Sequence, residues 1–183
     1  MEGINSVFPV PIYFNKIEIE DIVVPHFGEE QNVLRQEVPV LKDKVFEVVS
    51  ELIKSLGYVD QPLKLNDMWF NRYDKNRPFL EHHYHQNCSW TGCYFPEDAN
   101  HQLVIYNPMA NVMQQHYPQI TDITDFNTEV LPFNGIMKNS LMIFPSYLAH
   151  QVMWNGGDPS HSISFDIAYQ LPIGDKEYGS YSE

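Results

Sequence analysis

Positive charge is scarce in this 183-residue chain: eleven Lys and Arg, of which Arg35, Arg72 and Arg77 are the arginines, stand against 24 Asp and Glu. With the eight His neutral the formal charge is -13. Such a surface repels phosphate backbones and anionic lipid, which argues against nucleic-acid and membrane-surface partners. Cysteine is almost missing too. Cys88 and Cys93 are the whole supply, and two cysteines this close within one strand-like run rarely meet disulfide geometry, so both are expected to be reduced thiols. No window approaches the roughly 20 uninterrupted apolar residues of a membrane helix. An early Glu2 and no basic stretch ahead of the first apolar run argue against a secretion signal. The expectation is a soluble, cytoplasmic protein.

What the chain does have is apolar residues, 43% of the total with 14% aromatic, enough for one sizeable core. No repeat or low-complexity linker divides it, so residues 1–173 are expected to form a single domain. The Gly-, Ser-, Tyr- and acid-rich residues 174–183 read as a loose tail. Residues 7–19 alternate after a Pro-punctuated start and suit an edge strand. Leu41, Val45, Val48, Val49, Leu52, Ile53 and Leu56 recur at spacings of three and four, with Gly57 as a left-handed terminus, which predicts a helix from Val40 to Leu56. After it come short β-branched or aromatic segments near 66–73, 88–95, 102–107, 130–133, 140–145, 149–154 and 161–170, separated by Pro, Gly, Asn and Asp. That spacing predicts a mainly β protein, an antiparallel sandwich or barrel with one flanking amphipathic helix. Residues 109–129, with Met109, Met113, Tyr117, Ile120 and Phe126, are long for a connection and read either as a lid or as a packed excursion.

The densest chemistry lies in Glu81-His82-His83-Tyr84-His85. In an extended segment residues 83 and 85 share a face while 82 and 84 point away, so two imidazoles converge. A first-row metal needs at least one more ligand from elsewhere. His150, in a strand that follows the Phe144-Pro145-Ser146 turn, is the best distant candidate. His26, His101 and His116 are expected to be structural or solvated. On the residues alone, the triplet reads as a metal site or as a solvated loop, and neutral imidazole suits iron, zinc, copper and nickel alike.

Several blocks together carry a resemblance: Trp69-Phe70-Asn71, the His83-x-His85 pair, Ser89-Trp90-Thr91-Gly92-Cys93-Tyr94-Phe95, Leu103 to Pro108, Gly135, and Phe144-Pro145-Ser146-Tyr147-Leu148-Ala149-His150-Gln151-Val152. Over roughly residues 7–170 the chain resembles the small 2-oxoglutarate and iron(II)-dependent oxygenases of bacteria and their phages. The resemblance implies a double-stranded β-helix, that is a cupin-like jelly roll, with the metal at its open end. It implies His83 and His150 as ligands, and puts His85 where the usual His-x-Asp/Glu element has its carboxylate. A neutral ligand there leaves the centre one unit more positive; His85 either ligates directly, the favoured reading, or stands behind the metal.

A second departure concerns the co-substrate. The far carboxylate of 2-oxoglutarate would normally meet an Arg about ten residues after the distal histidine, as a bidentate fork. Here that position falls at Ser160 or His161. Tyr94, Ser160, His161 and Ser162 are therefore the expected binders of its tail, with Arg72, Arg77 or Lys138 reaching in as a further option and a plain polar turn over 158–162 as the bland one. Trp69, Tyr84, Trp90, Tyr94, Tyr106, Tyr147 and Trp154 are the aromatic residues best placed along the expected strands to wall a pocket, most of them expected in the core. The implied activity is oxidation of a C–H bond coupled to decarboxylation of 2-oxoglutarate, with catalytic residues His83, His85 and His150. The substrate would be a peptide or small molecule, and a homo-oligomer is left open. The alternative is a cupin-like metal-binding barrel without 2-oxoglutarate-dependent activity, and a third reading is a non-catalytic structural module.

Overall fold

The computed structural model describes residues 10–20, 22–110, 112 and 128–170. In chain order these form β1 (Tyr13–Lys16), β2 (Val33–Arg35), α1 (Pro39–Ser55), β3 (Leu63–Tyr73), β4 (Phe79–His83), β5 (Trp90–Phe95), β6 (His101–Tyr106), β7 (Val130–Phe133), β8 (Ser140–Pro145), β9 (His150–Trp154) and β10 (Ser160–Tyr169). One sheet runs β1-β8-β5-β10-β3-β2 and the other β4-β9-β6-β7. All pairings are antiparallel. The strands from β3 to β10 thus divide between two sheets in jelly-roll order, and β1 and β2 extend the larger one at its edges. Among the described residues the chain adopts the expected mainly β architecture, with α1 as its long helix. β2 and the start of β4 escaped the sequence reading because three and five residues carry too little alternation to register.

Period-two alternation sorts the larger sheet into two cores. Met68, Phe70, Tyr94, Leu141, Ile143, Ile163, Phe165 and Ile167 pack with the apolar stripe of α1. Tyr73, Cys93, Phe95, Met142 and Phe144 turn the other way and meet Leu103, Ile105 and Val152 of the smaller sheet. The helix buries Leu41, Val45, Val48, Val49 and Ile53, each contributing about 1.5–3 kcal/mol of apolar transfer. Its start has no side-chain cap, but Pro39 opens the first turn and needs no N–H partner. At its end Tyr58 N–H donates to Ile53 O and Gly57 N–H to Lys54 O, with Gly57 at φ +82°, a Schellman stop.

Cys88 and Cys93 are free thiols, and burial pushes them up to about 11 and about 12 respectively, away from reactive thiolate character. The excursion read over 109–129 lies mostly outside the described residues, as does the tail from 174. Among the described residues no helix is long and apolar enough to cross a membrane.

The central strand β5 passes so close to its neighbours that position 92 admits no side chain. A Cβ on Gly92 would lie 2.2 Å from Met142 O and 2.7 Å from Phe165 Cζ. Gly92→Ala is therefore expected to lower stability by about 3 kcal/mol, the upper end of ordinary overpacking. A urea midpoint within error of wild type would show that the two sheet partners yield freely.

Candidate metal centre

Antiparallel pairing of β4 with β9 sets His83 directly opposite His150. Side chains so opposed are the closest pairs a sheet offers, and the two ring centroids lie 4.3 Å apart. His85 comes just past the end of β4, not within it as alternation suggested. The ladder is irregular between Leu80 and His83, and the His85 N–H donates to Ser146 O in the turn ahead of β9. Its ring lies 5.1 Å from that of His150, nearly parallel, and stacks on Trp69. One ligand nitrogen from each of the three falls within 4.8 Å of the others. Among the described residues this is the group with metal-binding geometry.

Each ring is held by its other nitrogen. His83 Nδ1 is 2.6 Å from Glu81 O and His150 Nδ1 is 3.1 Å from Leu148 O, in both cases the carbonyl two residues back. His85 Nδ1 is 2.8 Å from Asp166 Oδ1. This contact lies off the N–H direction, since Asp166 Oδ1 has no aligned hydrogen bond, so the attraction is mainly electrostatic. With Nδ1 of His83 and His150 at a carbonyl and that of His85 beside Asp166, Nε2 is the nitrogen each ring would offer to a metal. Burial holds His83 below the usual histidine range and takes His150 down to about 3, neighbouring histidines adding to both shifts. His83 and His150 are thus held neutral, as metal ligands must be. The Asp166 carboxylate behind His85 returns the negative charge that a histidine at this position forgoes.

The triad opens into a narrow cavity between the sheets, with about 30 Å³ of free volume. Trp69, Tyr73, His101, Ser162 and Ser164 line it. Of the residues expected to bind a co-substrate tail, Ser162 is brought to this cavity and the others are not. Tyr94 faces the helix side, its hydroxyl donating to Asn139 Oδ1. His161 stacks on Phe27 and is bound through its N–H and Nδ1 to Glu97 Oε1. Ser160 is buried behind His101, with its Oγ 2.7 Å from Nδ1. Of the expected wall residues, Trp69 lines the cavity, while Tyr106 and Tyr147 line a separate cleft with His82 and Glu129 at the His83 end of the smaller sheet.

The sequence reading missed Asp166, Asn71 and Tyr73, and gave His101 only a structural role. Alternation along β10 puts Asp166 on the face of Ser162 and Ser164, and along β3 it aligns Asn71 and Tyr73 with Trp69, so the signal was there. Asn71 Nδ2 donates to Ser164 Oγ at 2.9 Å while its buried Oδ1 has no partner.

The family model described as "Putative 2OG-Fe(II) oxygenase" matches residues 67–166, a span that contains all three histidines and Asp166. The chain belongs to this oxygenase family. Among solved structures it is similar to the non-heme alpha ketoglutarate dependent epimerase SnoN from nogalamycin biosynthesis, with a TM-score of 0.53 and 9% identity over 75% of this chain and 62% of that one. It is also similar to AviO1 from Streptomyces viridochromogenes Tue57 (TM-score 0.52, 14% identity, 86% and 74% of the two chains). A 2OG-Fe(II) oxygenase family oxidoreductase from Burkholderia pseudomallei matches with a TM-score of 0.50 and 11% identity over 86% and 68%. At these identities the likeness is one of fold, and this chain spans less than two thirds of the length of SnoN. No curated protein matches the chain.

The histidines also couple this site to acid stability. His101 and His150 are held at about 4 and about 3, chiefly because burial penalises the charged ring. Below the ordinary histidine value near 6.5 the unfolded chain takes up protons that these folded sites refuse, so stability is lost as pH falls toward 4. Each group contributes up to about 1.4 kcal/mol per pH unit in that window. Urea unfolding of the metal-free protein should show a loss on the order of 3 kcal/mol between pH 7 and 5, and His101→Gln should remove about half of it. An unchanged pH dependence in that variant would mean that His101 is protonated in the folded protein.

Proposed function

We propose that this chain is a non-haem iron(II) and 2-oxoglutarate-dependent dioxygenase of the hydroxylase type, with His83, His85 and His150 as its metal ligands. The observation that carries the reading is the convergence of three imidazoles whose Nδ1 atoms are all engaged elsewhere, inside a chain of this family. The donor set fits iron(II): imidazole suits it, and three protein ligands leave positions for co-substrate and oxygen. Bound iron(II) would supply the oxygen activation that couples decarboxylation of 2-oxoglutarate to oxidation of a C–H bond.

The protein's own contribution is positional. β4 and β9 hold two rings in fixed register, Asp166 orients the third and offsets charge, and Trp69 stacks against His85 to restrict its swing. Apolar Leu80, Leu103, Phe144 and Val152 keep the cavity dry around the reacting centre. The separate cleft bearing His82, Tyr106 and Tyr147 offers aromatic contacts, which favours a small-molecule or peptide substrate. A net charge of -13 disfavours nucleic acid. The reading is of one domain over residues 1–173 in a cytoplasmic enzyme of bacterial or phage type, and two free thiols suit a reducing compartment.

Metal titration and anaerobic spectroscopy test this. Iron(II) followed by 2-oxoglutarate should give a weak visible charge-transfer band, whereas a cupin-like barrel without this activity would take up iron and stay colourless. His150→Ala should abolish tight iron binding, and His101→Ala should leave it intact. Asp166→Asn should weaken it about tenfold or more in a chelator competition, the usual effect of removing a carboxylate behind a ligand histidine. Equal iron affinity of the His150 and His101 variants would mean that the wrong imidazoles have been chosen.

A further inference from the structure

Among the described residues, the cavity below the triad has no lysine or arginine in its lining to meet a second carboxylate. Arg72 is paired with Asp74 at 2.9 Å. Arg77 lies over the Tyr73 ring at 5.7 Å and donates to Asn32 O, away from the cavity lining. Where the resemblance expects the arginine stand Ser160 and His161, and a buried imidazole lies against Ser160: His101 is 1% exposed, lines the cavity, and packs on Tyr73 and Phe95. Ser160 Oγ accepts the Asn100 N–H at 2.8 Å and lies 2.7 Å from His101 Nδ1, to which its hydroxyl can donate. With the hydroxyl donating, the neutral ring carries its proton on Nε2, a nitrogen with no hydrogen-bond partner among the described residues. Tyr73, whose hydroxyl is bonded to Ser162, completes a group of donors on the cavity floor.

We infer that His101, backed by Ser160 and flanked by Tyr73 and Ser162, receives the remote carboxylate of a dicarboxylic 2-oxo acid and takes up a proton from solution as it does so. This rests on the oxygenase reading. The proton is needed because a carboxylate buried here would otherwise have no counter-charge. Nδ1 can gain it without breaking the Ser160 contact, since the hydroxyl rotates and Oγ accepts instead. The surrounding groups leave the charge to His101. From β3, Tyr73 is pushed up to about 12 and stays neutral, as does Cys93 of β5. Asp74 is occupied by Arg72. Glu97, ahead of β6, is engaged by His161 of β10, and β9 presents only His150 at the far end of the cavity. In the empty cavity burial holds His101 near 4, so the ring arrives neutral and is charged only by its guest.

Calorimetry of the anaerobic iron(II)-loaded protein at pH 7.5, in phosphate and in Tris, reads proton uptake directly from the difference in heats. Titrating 2-oxoglutarate should show uptake of about one proton per molecule bound, whereas pyruvate, which lacks the remote carboxylate, should bind with none. His101→Gln should abolish the uptake and weaken 2-oxoglutarate by roughly tenfold or more, with pyruvate and iron affinities unchanged. Adding Ser160→Arg to that variant should restore 2-oxoglutarate affinity without proton uptake. Tight 2-oxoglutarate binding with no buffer dependence in the wild-type protein would overturn the inference while leaving the oxygenase reading intact. Failure of the wild-type protein to bind either acid would overturn both.

Discussion

Three imidazole rings packed within about one ring width of each other are stable only if at most one is charged. His83 and His150, with centroids 4.3 Å apart, would repel strongly as cations, and β8, β9 and the bulk of Phe144 remove the water that could screen them. The rest of the site follows from keeping these rings neutral and aligned. A carbonyl two residues back holds the Nδ1 of His83 and of His150, and Asp166 stands at the Nδ1 of His85. Such local anchoring costs little entropy because the strand has already fixed the backbone on both sides.

Charge is rationed along the whole barrel axis. At the triad the Asp166 carboxylate stands beside His85. Deeper in, every polar group on the cavity wall is formally neutral: Tyr73, Thr91, His101, Ser162 and Ser164. The arginines near the β3–β4 turn are spent on Asp74 and on a backbone carbonyl outside. A site built this way favours guests that bring their own proton or draw one in, because a fixed buried cation would need a partner in the empty state.

The scaffold keeps those groups in register. β10 runs between β3 and β5, so one face of this strand carries Ser162 and Ser164, which line the cavity, between Ser160 behind His101 and Asp166 beside His85. The opposite face of the same strand, through Ile163, Phe165 and Ile167, is locked against α1 and the larger sheet's outer core. A slip of one residue would exchange the two faces, which ties the chemistry of the cavity to the packing of the helix. Gly92 is part of that lock: the missing side chain lets Phe165 lie against β5.

The amino-acid order alone determined a mainly β chain with one amphipathic helix ending at Gly57, free thiols and an anionic surface, because these depend on local periodicity, spacing and composition. It also put residues 83 and 85 near each other and named 150 as their distant candidate partner. Only the tertiary structure decided that His83 lies opposite His150, since register between remote strands depends on how both sheets close. It likewise decided that Tyr94 faces the helix, that His161 is engaged by Glu97, that Asp166 stands beside His85 and that His101 lines the cavity. Those outcomes rest on contacts between residues far apart in the chain, and alternation along a strand gives two faces without saying which of them will be inside.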